Sequence, residues 1–181
     1  VVVLDNTMTD VQTRGIQVND AVAPMVGLNR VSVLDNNARG LELLNCEGPV
    51  RVVGNQVEGG AQALVMLNLV DPGAGIPSLV ANNLLDGGFQ AVILDNADNL
   101  QFFHNSLQAK GPASAVLQIK AGCTDLDLRN NLFYNANALV GMALDIDSPD
   151  PLATIFNQLD YNDYFITAGD LIRKDGVGYA D

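Results

Sequence analysis

Two groups of charged residues and a handful of aromatics are the parts of this chain that could do chemistry. Asp145, Asp147 and Asp150 are closely spaced, and the first two occupy alternate positions that would share one face of a strand. Ca²⁺ is the ion such a set could hold, but it takes roughly six to eight oxygens, more than three carboxylates comfortably supply. The run Asp147-Ser148-Pro149-Asp150-Pro151 reads equally as a rigid turn. Lys120 and Arg129 lie near Asp125 and Asp127. A basic group beside carboxylates can move a proton, and the same composition describes a solvated charged face. His104, the only histidine, follows Phe102 and Phe103, where a lone imidazole suits packing or surface better than general-base work. Tyr134, Tyr161, Tyr164 and Phe165 are the aromatics available for stacking on a sugar. They cluster late in the chain, which suits either a C-terminal binding rim or an aromatic plug over the last coil, the plug being preferred.

The elements that must position these residues come from internal repetition. Val1-Val2-Val3-Leu4-Asp5-Asn6 and Val31-Ser32-Val33-Leu34-Asp35-Asn36 match at five of six positions. Extending that pattern gives anchors at Asn6, Asn36, Asn55, Asn83, Asn105, Asn131 and Asn157, about 25 residues apart. Two residues after each anchor the side chain is always apolar, and three before it only Thr154 is not. This two-residue alternation marks strands sharing one core. A second strand family follows, including Gly40-Leu41-Glu42-Leu43 and Ala91-Val92-Ile93-Leu94. Glycine corners such as Gly59-Gly60, Gly87-Gly88 and Lys110-Gly111-Pro112 separate the two families and leave no room for crossover helices. The pattern predicts an all-β, right-handed parallel β-helix of about seven coils, a single domain over residues 1–181. An asparagine ladder runs along its turns, and residues 160–181 are expected to be irregular or capping. The chain starts inside a strand pattern and closes without a clear cap, so the reading expects the remainder of a longer β-helix to adjoin it.

Composition narrows the partners. Val, Leu and Ile dominate the 48% hydrophobic content, Trp is absent, and the formal net charge is −12. Such a field repels nucleic acid and anionic membrane surfaces, and no apolar run approaches the ~20 residues of a membrane span. No signal peptide is visible at Val1–Leu4. Cys46 and Cys123 fall in the second and fifth coils, about 14 Å apart at ~4.8 Å per coil, beyond the ~7 Å reach of a disulfide. Two free, mostly buried thiols are therefore expected.

The order strand, Asn turn, glycine corner, second strand resembles the parallel β-helix repeat of the pectin-lyase-like superfamily over nearly the whole chain. Leu159-Asp160-Tyr161-Asn162-Asp163-Tyr164-Phe165 is similar to a segment near the C-terminal end of many such proteins. The resemblance implies an extracellular or cell-surface protein directed at polysaccharide, as a lyase, epimerase or hydrolase. A lyase of that kind would use Ca²⁺, carboxylates and a basic residue, for which Lys120, Arg129, Asp125 and Asp127 are the parts present in kind. The motif set of polygalacturonases finds only partial echoes in Asn6-Thr7-Met8 and Gln118-Ile119-Lys120, and His104 lacks flanking glycines. The alternative is a non-catalytic structural or adhesive solenoid, because one fold hosts many activities.

Overall fold

Strands of valine, leucine and isoleucine bury one face each, and here they do so by winding around a common interior. The computed structural model, which describes residues 1–70, 75–112, 114–137 and 140–179, is a parallel β-solenoid of about six turns. Its first rung is β1 (Val2–Leu4), β2 (Thr7–Val11) and β3 (Arg14–Asn19); the second is β4 (Met25–Gly27), β5 (Arg30–Val33) and β6 (Arg39–Leu44). The third is β7 (Arg51–Val53), β8 (Gln56–Gly59) and β9 (Gln62–Leu69), and the fourth β10 (Ser78–Ala81), β11 (Leu84–Gly87) and β12 (Gln90–Ala97). The fifth comprises β13 (Leu100–Phe103), β14 (Ser106–Ala109) and β15 (Ser114–Lys120); the sixth, β16 (Leu126–Arg129), β17 (Leu132–Asn135) and β18 (Gly141–Asp147). A four-residue helix, α1 (Leu152–Ile155), precedes the last rung of β19 (Phe156–Asp160), β20 (Asp163–Ile166) and β21 (Gly169–Lys174). β22 (Val177–Tyr179) then folds back antiparallel on β21. Residues 163–179 are thus mostly strand, and Ala180 and Asp181 lie outside the described residues.

Like strands stack into three sheets, β1-β4-β7-β10-β13-β16-β19, β2-β5-β8-β11-β14-β17-β20, and β3-β6-β9-β12-β15-β18-β21 with β22 at its edge. Seven strands per sheet are separated by six steps, which reconciles the seven anchors with about six turns. The interior is one aliphatic cluster running the length of the stack, from Ile16 and Val18 through Leu64, Leu94 and Phe102 to Leu144 and Ile155.

Between the first and second sheets the chain turns at a ladder of asparagines. In it each Nδ2 donates to the Oδ1 of the next rung at 2.9–3.0 Å. Each backbone N–H donates to that same oxygen, and the second Nδ2 hydrogen reaches a main-chain carbonyl, as from Asn83 to Val52. The members are Asn6, Asn29, Asn55, Asn83, Asn105, Asn131 and Asn162, separated by 23, 26, 28, 22, 26 and 31 residues. Asn36 and Asn157 are therefore not ladder residues. The match between residues 1–6 and 31–36 was misleading: Val31–Val33 belongs to β5 in the second sheet and pairs with β2, not β1. Asn36 sits exposed in the following turn. Asn157 lies exposed within β19, because α1 and a register shift opposite Leu126 and Asp127 push the last amide to Asn162. No buried side-chain nitrogen or oxygen lacks a partner among the described residues.

The residue before each ladder member is left-handed: Asp5, Leu28, Gly54, Asn82, His104, Asn130 and Tyr161 have φ between 53° and 70°. The conformation that asparagine tolerates better than most residues therefore falls one position before each ladder amide, not on it. A second ladder, exposed and absent from the sequence reading, links Asn96 to Asn68, Asn68 to Asn45 and Asn45 to Asp20 at 2.9–3.1 Å where the third sheet ends. These four residues are also left-handed.

Cys46 and Cys123 are free and buried, in a column that runs Ala21, Cys46, Leu69, Ala97, Cys123. Burial pushes the Cys123 thiol up from 9.0 to about 11, and raises Cys46 for the same reason. A thiol whose pKa is raised by folding leaves stability intact below pH 9 and erodes it as pH climbs through 11, because the unfolded chain ionises first. Cys123 is expected to stay unlabelled by a thiol reagent at pH 8 until denaturant is added, and Cys123→Ala to flatten the alkaline loss of stability. Rapid labelling of the native protein at both cysteines would contradict this placement.

Candidate functional site

The turn from the second sheet to the third twice begins with an acid followed by two glycines, Glu58-Gly59-Gly60 and Asp86-Gly87-Gly88, and one rung on reads Lys110-Gly111-Pro112. Glycine is needed there because backbones of successive rungs touch. Gly88 N–H donates to the Gly60 carbonyl at 2.7 Å, and Gly111 N–H donates to Gly88. A Cβ on Gly88 would stand 2.7 Å from the Gly60 oxygen. With no side chains on this shelf, a groove of about 390 Å³ opens along the corner, lined by Asn36, Glu58, Asp86, Phe89, Lys110 and Pro112 besides the glycines.

Glu58 and Asp86 are register partners on β8 and β11, so their carboxylates leave the same face about 4.8 Å apart. Lys110 forms an ion pair with Asp86. Phe89, which follows the glycine pair directly, is 41% exposed and borders the same groove. An open ring offers a flat apolar platform, while two carboxylates accept and an ammonium donates hydrogen bonds. Apolar surface with a few fixed polar groups is the composition of a small-molecule site. The sequence carried the signal in the repeated acid-Gly-Gly triplet.

The residues singled out from sequence alone do not converge. Lys120 points outward at the end of β15, 3.8 Å from Asp95 and opposite Asp147 in register. Arg129, on the first sheet instead, is held bidentately by Asp127 at 2.7 and 2.6 Å and lies 4.8 Å over the Phe103 ring. Asp125 is an exposed left-handed turn residue before β16, and His104 is exposed at the asparagine corner. The eight residues between Lys120 and Arg129 carry the chain from one sheet to another, so proximity in sequence becomes separation in space. Asp5, His104 and Asn130, each one residue before a ladder asparagine, form a column that faces solvent.

Asp145 and Asp147 do share the outer face of β18, but Asp145 is engaged by Arg173 at 2.9 and 2.8 Å and by Gln118 at 3.3 Å. That hydrogen bond raises the Arg173 guanidinium further. Asp150 accepts from the Ser148 hydroxyl at 3.0 Å. Among the described residues no three His, Cys, Asp or Glu side chains are grouped to hold a metal, so Asp145, Asp147 and Asp150 are not a shared ligand set.

Tyr164 points inward and stacks on Phe133, ring centres 5.1 Å apart and 11° from parallel. It closes the core as a plug would, and burial raises its phenol pKa. Tyr134 and Phe165 are register neighbours on the outer face of the second sheet, both exposed, and Tyr161 is exposed at the corner. Against known families, curated proteins and solved structures the chain finds no match.

Proposed function

We propose that this chain is a polysaccharide-binding module, built as a right-handed β-helix of pectin-lyase-like kind and working outside the cell or at its surface. The single observation that carries the reading is the glycine-floored groove in which exposed Phe89 stands beside Glu58, Asp86 and Lys110. Parallel crossover connections are right-handed in nearly all known cases, which supports that hand. Successive rungs repeat along the groove at about 4.8 Å, so a linear chain of sugars finds equivalent backbone at each step. Tyr134 and Phe165, farther along the second sheet, extend the aromatic surface.

A panel of neutral and acidic polysaccharides in affinity electrophoresis tests this. At least one glycan is expected to retard the protein, and Phe89→Ala to weaken that binding about tenfold, the worth of one stacked ring. Unchanged mobility with every glycan would defeat the reading. The dispersal of Lys120, Arg129, Asp125, Asp127 and His104 favours a second reading, a rigid adhesive or structural solenoid, over any of the reactions these residues were expected to serve.

A further inference from the structure

The outer face of the third sheet hides one carboxylate almost completely. Glu42, on β6 between inward-facing Leu41 and Leu43, is 1% exposed although it points away from the core. Its Oε2 forms an ion pair with Arg14 Nε at 2.6 Å and accepts from Gln17 Nε2 at 2.9 Å, and its Oε1 accepts from Arg39. Arg14 and Arg39 are register partners one rung apart, so guanidiniums from two successive rungs engage a single buried acid. Taking a carboxylate out of water is costly unless it is fully paired, and this one is paired on both oxygens.

Each guanidinium carries five N–H donors, and Glu42 occupies only one of them on each side chain. The remainder belong to side chains about half exposed in one case and one third in the other. Both arginines border an open pocket of about 390 Å³ that also takes in Gln12, Thr13, Asp35 and Asn37. Asp35 is fixed there: its Oδ1 accepts from the Asn37 N–H at 2.7 Å. It forms no ion pair among the described residues, although two arginines share its pocket. The site therefore holds an anchored positive side and an anchored negative side that are not spent on one another. A simple anion would satisfy the arginines and be opposed by Asp35, and a simple cation would meet the reverse.

From this pairing we infer that the Arg14–Arg39 pocket binds a small zwitterion, a carboxylate and an ammonium on one short carbon frame, as in a free amino acid or an amino-acid end group. The carboxylate takes the free guanidinium donors, a planar match, and the ammonium takes Asp35. Glu42 is a positioning residue that holds both arginines upright without touching the ligand. The pocket is separate from the glycine groove. The turn at Asp35, Asn36 and Asn37 forms the wall between them, Asn36 lining one side and its two neighbours the other.

Amide chemical-shift titration of the intact chain tests it, with glycine, β-alanine and γ-aminobutyrate set against acetate and methylammonium. The expected result is that at least one zwitterion shifts the Asn37 and Arg39 amides and binds at least tenfold more tightly than either single-charge probe. Arg14→Gln and Asp35→Asn, both at exposed side chains that leave Glu42 paired with Arg39, are each expected to weaken that binding about tenfold. Retained circular dichroism in both variants separates lost binding from lost fold. The inference is overturned if acetate binds as well as the best zwitterion, if Asp35→Asn leaves zwitterion binding unchanged, or if no zwitterion shifts these amides. An amino acid coupled to a soluble carrier through its side chain distinguishes an end group from a free ligand by binding equally well.

Discussion

Asn105→Ala is expected to lower the unfolding free energy by about 4 kcal/mol, read as a fall in the urea midpoint at constant m-value. Asn105 Oδ1 accepts from both the main-chain N–H and the Nδ2 of Asn83, while its own Nδ2 donates to the Val80 carbonyl and to Asn131. Alanine would leave two buried donors on Asn83 and one buried acceptor on Val80 without partners, each costing roughly 1–3 kcal/mol. Water has no route in, since Asn83 and Asn131 are buried on either side. The exposed ladder supplies the control. Asn45→Gly, which keeps the left-handed backbone, is expected to change stability by no more than about 1 kcal/mol because solvent replaces the lost bonds. Equal costs at the two sites would mean the buried ladder contributes nothing beyond an ordinary surface contact.

Phe102→Ala is expected to cost a similar amount, about 4 kcal/mol, by a different physical route. Phe102 is wholly buried in β13, with Val80 above and Leu128 below in register. A stacked core cannot collapse sideways into the void without breaking strand register, so most of the cavity persists. Phe102→Leu retains much of the volume and is expected to cost about 1 kcal/mol. Phe103 provides the comparison: it points outward under the Arg129 guanidinium, and its removal forfeits a partly exposed contact only. If thermal melts showed Phe103→Ala to be the more damaging of the two, the inward and outward assignment of this strand would be reversed.

The architecture was legible because alternation and corner chemistry repeat with the coil. Val52, Val80, Phe102 and Leu128 share one period and all lie inside. What misled was a local match: Val31-Ser32-Val33-Leu34-Asp35-Asn36 has the letters of the first rung but belongs to another sheet, since any strand followed by a polar turn reads the same way. Asn29 was missed because Leu28 precedes it, and leucine does not announce a left-handed turn. Asn162 was missed because α1 lengthens the last interval to 31 residues. The candidate site was less legible still. Glu58, Asp86 and Phe89 are 28 and three residues apart, and only the stacking of glycine corners makes them neighbours. Conversely, Lys120 and Arg129 looked adjacent because sequence distance ignores the corner between them.

The unequal intervals of the amide column have a practical corollary. Between successive amides the chain spends as few as 22 and as many as 31 residues, yet the pitch between them does not change. Length differences are absorbed at the bends, leaving the stacked scaffold indifferent to them. Such bends are natural grafting points, where a guest peptide could be displayed at a chosen height along a stiff rod without retuning what lies beneath.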